Sequence, residues 1–340
     1  MIAFDFFPHK DHPDERMRAI VPVAGVGSRL RPHTYTVPKV LLNVAGKPII
    51  GHIMDKIIAH GVDEATIVIG YLGEKIREYI LKNYSIKVDF VEQEERLGLG
   101  HAIFLSRHTI SRDPILIILG DTIFDADLTA MVASKHSVLG VHNVDDARRF
   151  GVAETTDGFI TKLVEKPEHP KSNLAVVGLY YITQPQLLIE SLKELIKSNV
   201  RTKGEFQLTD ALQTMIDRGE KMKTFDIPGW YDCGKPETLL STNKILLANM
   251  PAPKSTPGVV IQSPVFISPK ATVRNAVIGP HATIAEGAVV ENSIIRNSII
   301  SEDARVSDAL LEDSIVGSNA IVKGSYKRVN IGDSSELEFY

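Results

Sequence analysis

From residue 17 onward, short uninterrupted apolar runs alternate with segments whose apolar positions recur every three or four residues. MRAIVPV reads as a buried strand, KPIIGHIMDKIIAH as an amphipathic helix with Pro48 near its first turn and Gly61 as its stop, and EATIVIG as the next strand. GEKIREYILKN (helix), SIKVDFVEQ (strand), GHAIFLSRH (helix) and PILIILGD (strand) continue the series. This alternation predicts βαβ units, and so an α/β domain built on a mainly parallel sheet with helices on both faces. Open sheets of that kind bind ligands beyond the carboxyl ends of their strands. The positions following those ends are the loop from Ala24 to Arg29, Gln93 and Asp121.

After about residue 250 the pattern changes. PAPKSTPG at 251–258 has the Pro and Ser content of a linker. Beyond it, single or paired aliphatics recur at Ile267, Val273, Ile278, Ile284, Val290, Ile295, Ile300, Val306, Leu311, Val316 and Val322, every gap being five or six residues. Neither a helix nor plain strand alternation has that period. A β-solenoid with three short faces per coil does, each face aiming one aliphatic inward, with Gly279, Pro280, Gly287, Asn292 and Asn297 at the corners. The organisation expected is an N-terminal extension over 1–16, an α/β domain over 17–250, a linker over 251–258, a solenoid over 259–330 and a C-terminal tail over 331–340.

A chain of 340 residues, 44% of them hydrophobic, has the size for about two cores. With 38 Lys and Arg against 42 Asp and Glu, the formal net charge of -4 gives no whole-molecule attraction to nucleic acid or an acidic membrane surface. Any phosphate binding therefore has to be local. The one cysteine, Cys233, cannot form an internal disulfide, and the first sixteen residues lack the apolar core of a signal peptide. No apolar run approaches the roughly 18 residues that span a bilayer. The expectation is a cytoplasmic protein with neither a nucleic-acid nor a membrane partner.

The candidate chemistry begins in PVAGVGSRLRP, where small residues that permit close backbone approach are followed at once by anion-binding guanidinium groups. The dinucleotide pattern needs a third glycine where Leu30 stands, and a P-loop needs Gly-Lys-Ser/Thr five residues after its first glycine; both fail. PVAGVGSRLRPHTYTVPKVLLNVAGKPII instead resembles the signature of the sugar-1-phosphate nucleotidyltransferases, the nucleotide-sugar pyrophosphorylases. The resemblance continues through EQEERLGLGHAI, LGDTIF, FGVAE, LVEKP, SNLAVVGLYY and WYDCG, in order, over roughly residues 17 to 245. It implies a Rossmann-like domain, and the solenoid is similar to the left-handed parallel β-helix, with hexapeptide-like repeats, of longer members.

The activity the resemblance implies is attack by a hexose-1-phosphate on the α-phosphorus of a nucleoside triphosphate, releasing pyrophosphate. Such a transfer needs positioning and charge neutralisation more than covalent help. Arg29 is then expected on the β- and γ-phosphates and Lys39 on the sugar phosphate and reacting centre, with Ala24, Gly25, Gly27 and Ser28 wrapping the triphosphate. Asp121 and Asp232 are the pair the family implies for Mg²⁺, which prefers hard oxygen ligands. Asp125 and Asp127 read as caps of the next helix. Gln93 carries both a donor and an acceptor, which suits the edge of uracil or thymine, and Gly98 leaves room for a flat base. Gly151, Glu165 and Lys166 are implied on the sugar side.

Pro22, Val23 and Ala24 stand where the thymidylyltransferase loop has Leu, Ala and Gly, and Ser28 replaces Thr, so PVAG is closer to the uridylyltransferase version. The nucleotide stays open between dTTP and UTP, with glucose-1-phosphate the favoured sugar. A GDP-mannose or ADP-glucose pyrophosphorylase is the alternative within the class, and a non-catalytic nucleotide-sugar-binding regulator the one outside it. The solenoid is expected to serve assembly into a homo-oligomer or regulation. His281, its one histidine, leaves little basis for an acetyltransferase.

Overall fold

The computed structural model describes residues 17–254 and 256–324; the expected extension over 1–16, the tail over 331–340 and the last six residues of the expected solenoid lie outside the described residues. The chain forms two compact units. One takes the chain up to Leu42 and Lys47–Leu239, the other Asn43–Gly46 and the chain from Leu240 on.

In the first unit each apolar run predicted as a strand is one: Arg18–Pro22, Glu64–Ile69, Lys87–Glu92 and Ile115–Ile118. The predicted helices occur at Ile49–Ala59, Gly73–Asn83 and Leu99–Leu105. Ile49–Ala59 buries Ile49, Ile50, Ile53, Met54 and Ile57, the spacing that put it on the sheet, and ends before Gly61, whose φ of 77° is the left-handed conformation a side chain would resist. The four strands lie side by side in the order Ile115–Ile118, Arg18–Pro22, Glu64–Ile69, Lys87–Glu92, all parallel. The sheet then becomes mixed. Leu174–Ile182 pairs antiparallel with Ile115–Ile118, Ser137–Asn143 and Gly151–Thr156, and Phe159–Glu165 and Met222–Asp226 bring it to nine strands.

The two ends of the parallel strands carry different chemistry. At the amino end Arg18 ion-pairs with Glu64 and Asp89 and donates to Thr66 Oγ1 at 2.9 Å, tying three neighbouring strands in register. In the middle Ile20, Val68 and Ile117 pack with Ile103, Leu192, Leu212 and Met215 of the helices Leu99–Leu105, Pro185–Lys197 and Leu208–Asp217. The carboxyl ends open onto the glycine loop, Gln93 and Asp121. A separate two-stranded ribbon, Thr122–Asp125 against Gly229–Asp232, follows Asp121 directly.

The second unit contains three four-stranded parallel sheets. Val259 lies opposite Ala276 and Ile294 opposite Leu310, so a coil takes 16 or 17 residues. The eleven periodic aliphatics form three ladders: Ile267, Ile284, Ile300 and Val316; Val273, Val290, Val306 and Val322; Ile278, Ile295 and Leu311. All eleven belong to one apolar core. Three ladders on three sheets are the build of the left-handed β-helix. The corners at Asn275, Gly287, Asn292, Asn297, Asp303 and Asp308 have positive φ, which Gly, Asn and Asp tolerate best.

Candidate active site

The carboxyl ends of the parallel strands enclose a cavity of about 570 Å³. Ala24, Gly25, Gly27, Ser28, Arg29, Lys39, Gln93, Gly98 and Asp121 all line it, together with Arg96, Leu99, Leu119 and Glu205. The glycine loop owes its shape to Gly27, whose φ is 66° and whose missing Cβ would sit 2.9 Å from the Lys39 Cβ. Its carbonyl accepts from Leu30 N at 2.9 Å and Thr34 Oγ1 at 2.9 Å, which turns the acceptor out of the loop. The amides of Gly25, Val26 and Gly27 donate to no acceptor among the described residues, and nothing lies within 4 Å of where a Gly25 side chain would be. Unused amides beside open space are what an anion needs.

Lys39, only 9% exposed, reaches Asp121 Oδ2 with its Nζ at 3.0 Å. Asp232 does not line the cavity, but the ribbon brings it alongside: Asp232 is in register with Thr122, and Cys233 N donates to Asp121 O at 3.1 Å. Cys233 is itself fully buried, a packing residue. A Cβ on Gly234 would lie 2.8 Å from Asp232 Oδ1 and 2.9 Å from Arg29 Nη2, so the guanidinium and the second carboxylate converge on that glycine. Among the described residues no group of three or more His, Cys, Asp or Glu side chains gathers into a metal cage. Two carboxylates without a third fit Mg²⁺, which takes one or two from a protein and completes its shell with phosphate and water oxygens. Asp127 Oδ1 accepts from Thr129 N at 2.9 Å, capping the next turn, and Asp125 pairs with Lys56 at 3.6 Å.

The end of the cavity beside Gln93 is built from two touching segments. Gly100 N donates to Phe206 O and Phe206 N to Leu97 O, both at 2.8 Å. Gly98, with a φ of 107°, passes so close that a Cβ would meet Phe206 O at 2.7 Å. Its glycine is required by the neighbouring backbone, a tighter reason than room for a base. Gln93 is 6% exposed; its Nε2 lies 3.2 Å from Gly98 O and 3.2 Å from His101 Nδ1. The donor that the sequence offers to a base is thus engaged by the protein.

Gly151, Glu165 and Lys166 form a second cluster and do not line that cavity. Glu165 is in register with Gly151, accepts from Thr209 Oγ1 at 2.7 Å and pairs with Lys166 Nζ at 3.2 Å. Burial first, then the charges of Glu165 and Asp121, push the phenol of buried Tyr180 above its usual range. Trp230 packs edge-on against Phe150, the residue before Gly151, with ring centroids 5.3 Å apart. Sequence reasoning missed Arg96 and His101, although both lie within EQEERLGLGHAI, and also Glu205 and Thr209, for which GEFQLTD, a turn feeding a helix, offered a local signal.

An amide-lined loop with two cations at the mouth of a parallel sheet, a carboxylate pair beside it and an appended β-helix define a phosphate-handling α/β protein. The chain belongs to the nucleotidyl transferase family, which matches residues 18–249. It is 31% identical over 306 residues to a glucose-1-phosphate thymidylyltransferase of Streptomyces griseus, covering 81% of this chain and 84% of that protein. It is 30% identical to the low-salt glycan biosynthesis nucleotidyltransferase Agl11 of Haloferax volcanii, covering 68% and 66%. Among solved structures, a UDP-glucose pyrophosphorylase complexed with UDP-glucose superposes with a TM-score of 0.60 at 27% identity, over 69% of this chain and all of that one. The chain spans about half to two thirds of the length of several curated relatives it matches. Among the described residues no helix is long and apolar enough to cross a membrane.

Proposed function

We propose that the protein transfers a nucleotidyl group from dTTP or UTP to a hexose-1-phosphate, glucose-1-phosphate being favoured. An oxygen of the sugar phosphate attacks the α-phosphorus, the bond from that phosphorus to the bridging oxygen of the β-phosphate breaks, and pyrophosphate leaves. The observation that carries this reading is the single cavity that collects the glycine loop, Arg29, Lys39, Gln93 and Asp121. The free loop amides and Arg29 hold the triphosphate and the departing pyrophosphate. Lys39, held in place by Asp121, neutralises the sugar phosphate as it approaches. Glu165, oriented by Thr209 and Lys166, accepts sugar hydroxyls beside Gly151. Asp121 and Asp232 would hold Mg²⁺, which supplies the remaining positive charge at the reacting phosphates.

Release of pyrophosphate from dTTP, UTP, GTP and ATP with a panel of hexose-1-phosphates and Mg²⁺ tests the reading, with turnover expected mainly for the first two. Preference for GTP or ATP would select a purine-using pyrophosphorylase. Absence of turnover across the panel would leave a nucleotide-sugar-binding regulator, a reading that the joint presence of Arg29, Lys39, Asp121 and Asp232 speaks against. The homo-oligomer belongs to the same proposal, and the β-helix supports it. Val260, Val277, Ile294 and Leu310 stack in register on the outer side of one sheet, with Val260 57% and Leu310 66% exposed.

A further inference from the structure

We infer that His101 is a positioning residue that confines Gln93 to accepting a hydrogen bond, so that the site selects bases bearing an N–H on their pairing edge. The inference rests on the nucleotidyl transfer proposed above and adds to it a rule for choosing the base.

An amide side chain has two N–H donors and one carbonyl acceptor. Gly98 O can only accept, so Gln93 must turn its nitrogen toward it, at 3.2 Å. The second hydrogen meets His101 Nδ1, also at 3.2 Å. His101 can take it as the neutral tautomer that bears its hydrogen on Nε2. A neutral imidazole carries a hydrogen on one nitrogen and accepts with the other. Both donors of Gln93 are then withdrawn from the cavity. Gln93, 6% exposed, lines the cavity, and its Oε1 accepts from no group among the described residues.

A lone inward acceptor pairs with the N3–H of uracil or thymine and with the N1–H of guanine. It opposes the bare ring nitrogen that cytosine and adenine present at the same place, where a buried acceptor facing an acceptor is unpaired. The rule therefore separates UTP, dTTP and GTP from CTP and ATP, and leaves guanine to be excluded by size. Two charges face His101: Glu95 on the same loop favours the protonated ring, Arg201 on the segment before Leu208–Asp217 opposes it, and burial, the largest effect, pushes it down so that it stays neutral. As the pH falls through that lowered value, Nδ1 stops accepting and the second hydrogen of Gln93 is released.

The test compares kcat/KM for UTP and CTP on the full chain, by pyrophosphate release with glucose-1-phosphate and Mg²⁺, in the unsubstituted protein, His101→Leu and His101→Asn. UTP is expected to lead CTP by about 100-fold or more, and His101→Leu to shrink that lead about tenfold, mostly through KM. His101→Asn, whose Oδ1 can stand where Nδ1 accepts, should restore it. The lead should also shrink toward acid pH in the unsubstituted protein and not in His101→Leu. A lead that stays constant while both substrates slow equally in His101→Leu would make His101 merely structural and overturn the inference. No turnover of the unsubstituted protein with any triphosphate and hexose-1-phosphate would instead remove the proposed function, and this inference with it.

Discussion

Lys39 and Asp121 hold each other at 3.0 Å inside the cavity, with the lysine nearly buried and the carboxylate still partly open to solvent. A cation so placed is ready for an incoming phosphate, and the carboxylate then needs another positive partner, a role suited to the metal ion. Replacing Asp121 by Asn removes the charge and keeps the shape and an acceptor for Lys39. Turnover of Asp121→Asn should fall by about 100-fold or more while the circular dichroism spectrum and melting temperature stay where they are. A rate equal to that of the unsubstituted protein would remove Asp121 from the metal pair. Strand-end logic alone reached Arg29, Gln93 and Asp121, because each follows an apolar run closely, and Lys39 was reached through resemblance. Asp232 was reached only through resemblance, since its neighbour Thr122 is brought to it by a ribbon closed over a hundred residues of chain. The orientation of Gln93 was not legible at all, because it depends on which atoms of Gly98 and His101 lie within 3.2 Å.

Between neighbouring strands, register is fixed by chemistry at the end opposite the cavity. Glu64 lies between Arg18 and Lys87, and its carboxyl is held below the usual range, first by the hydrogen bond from Lys87 and then by the charges of Arg18 and Lys87, against the opposing effect of burial. A folded-state value below the unfolded one means that the stabilisation is present above about pH 4.3 and is lost as pH falls through the lowered value. Urea unfolding midpoints should therefore drop more steeply below about pH 4.5 in the unsubstituted protein than in Glu64→Gln, which has no charge to lose. Parallel pH profiles would show that the cluster does not discriminate folded from unfolded chain. The four parallel strands were legible as apolar runs bounded by turn signals. That Leu174–Ile182 would enter antiparallel beside Ile115–Ile118 was not, since no local signal records which edge a late strand joins.

Across the molecule, the faces of the β-helix are unequal, and that inequality has a consequence for assembly. The outer side of the sheet containing Thr283 is covered within its own unit, where Thr283 Oγ1 donates to Asn243 Oδ1 at 2.6 Å and Gly46 lies against Phe266. The sheet containing Arg274, Glu291, Arg305 and Lys323 presents charge. The third presents Val260, Val277, Ile294 and Leu310, an apolar ladder bordered by Arg296 and Glu312 on successive coils. A two-fold axis that exchanges those coils would set aliphatic against aliphatic and give two reciprocal Arg296 to Glu312 pairs, the self-complementarity that an isologous interface requires. The five- and six-residue period announced the inward ladders, because corners at fixed intervals lock the register. The outward ladder was hidden in the same period, since in pairs such as Ile294 and Ile295 one member faces each way. The unsubstituted protein should elute with the mass of a dimer or larger in light scattering, and the double substitution Ile294→Lys, Leu310→Lys should reduce it to a monomer that still releases pyrophosphate. A monomer before substitution, or an oligomer that survives it, would move the interface to another face.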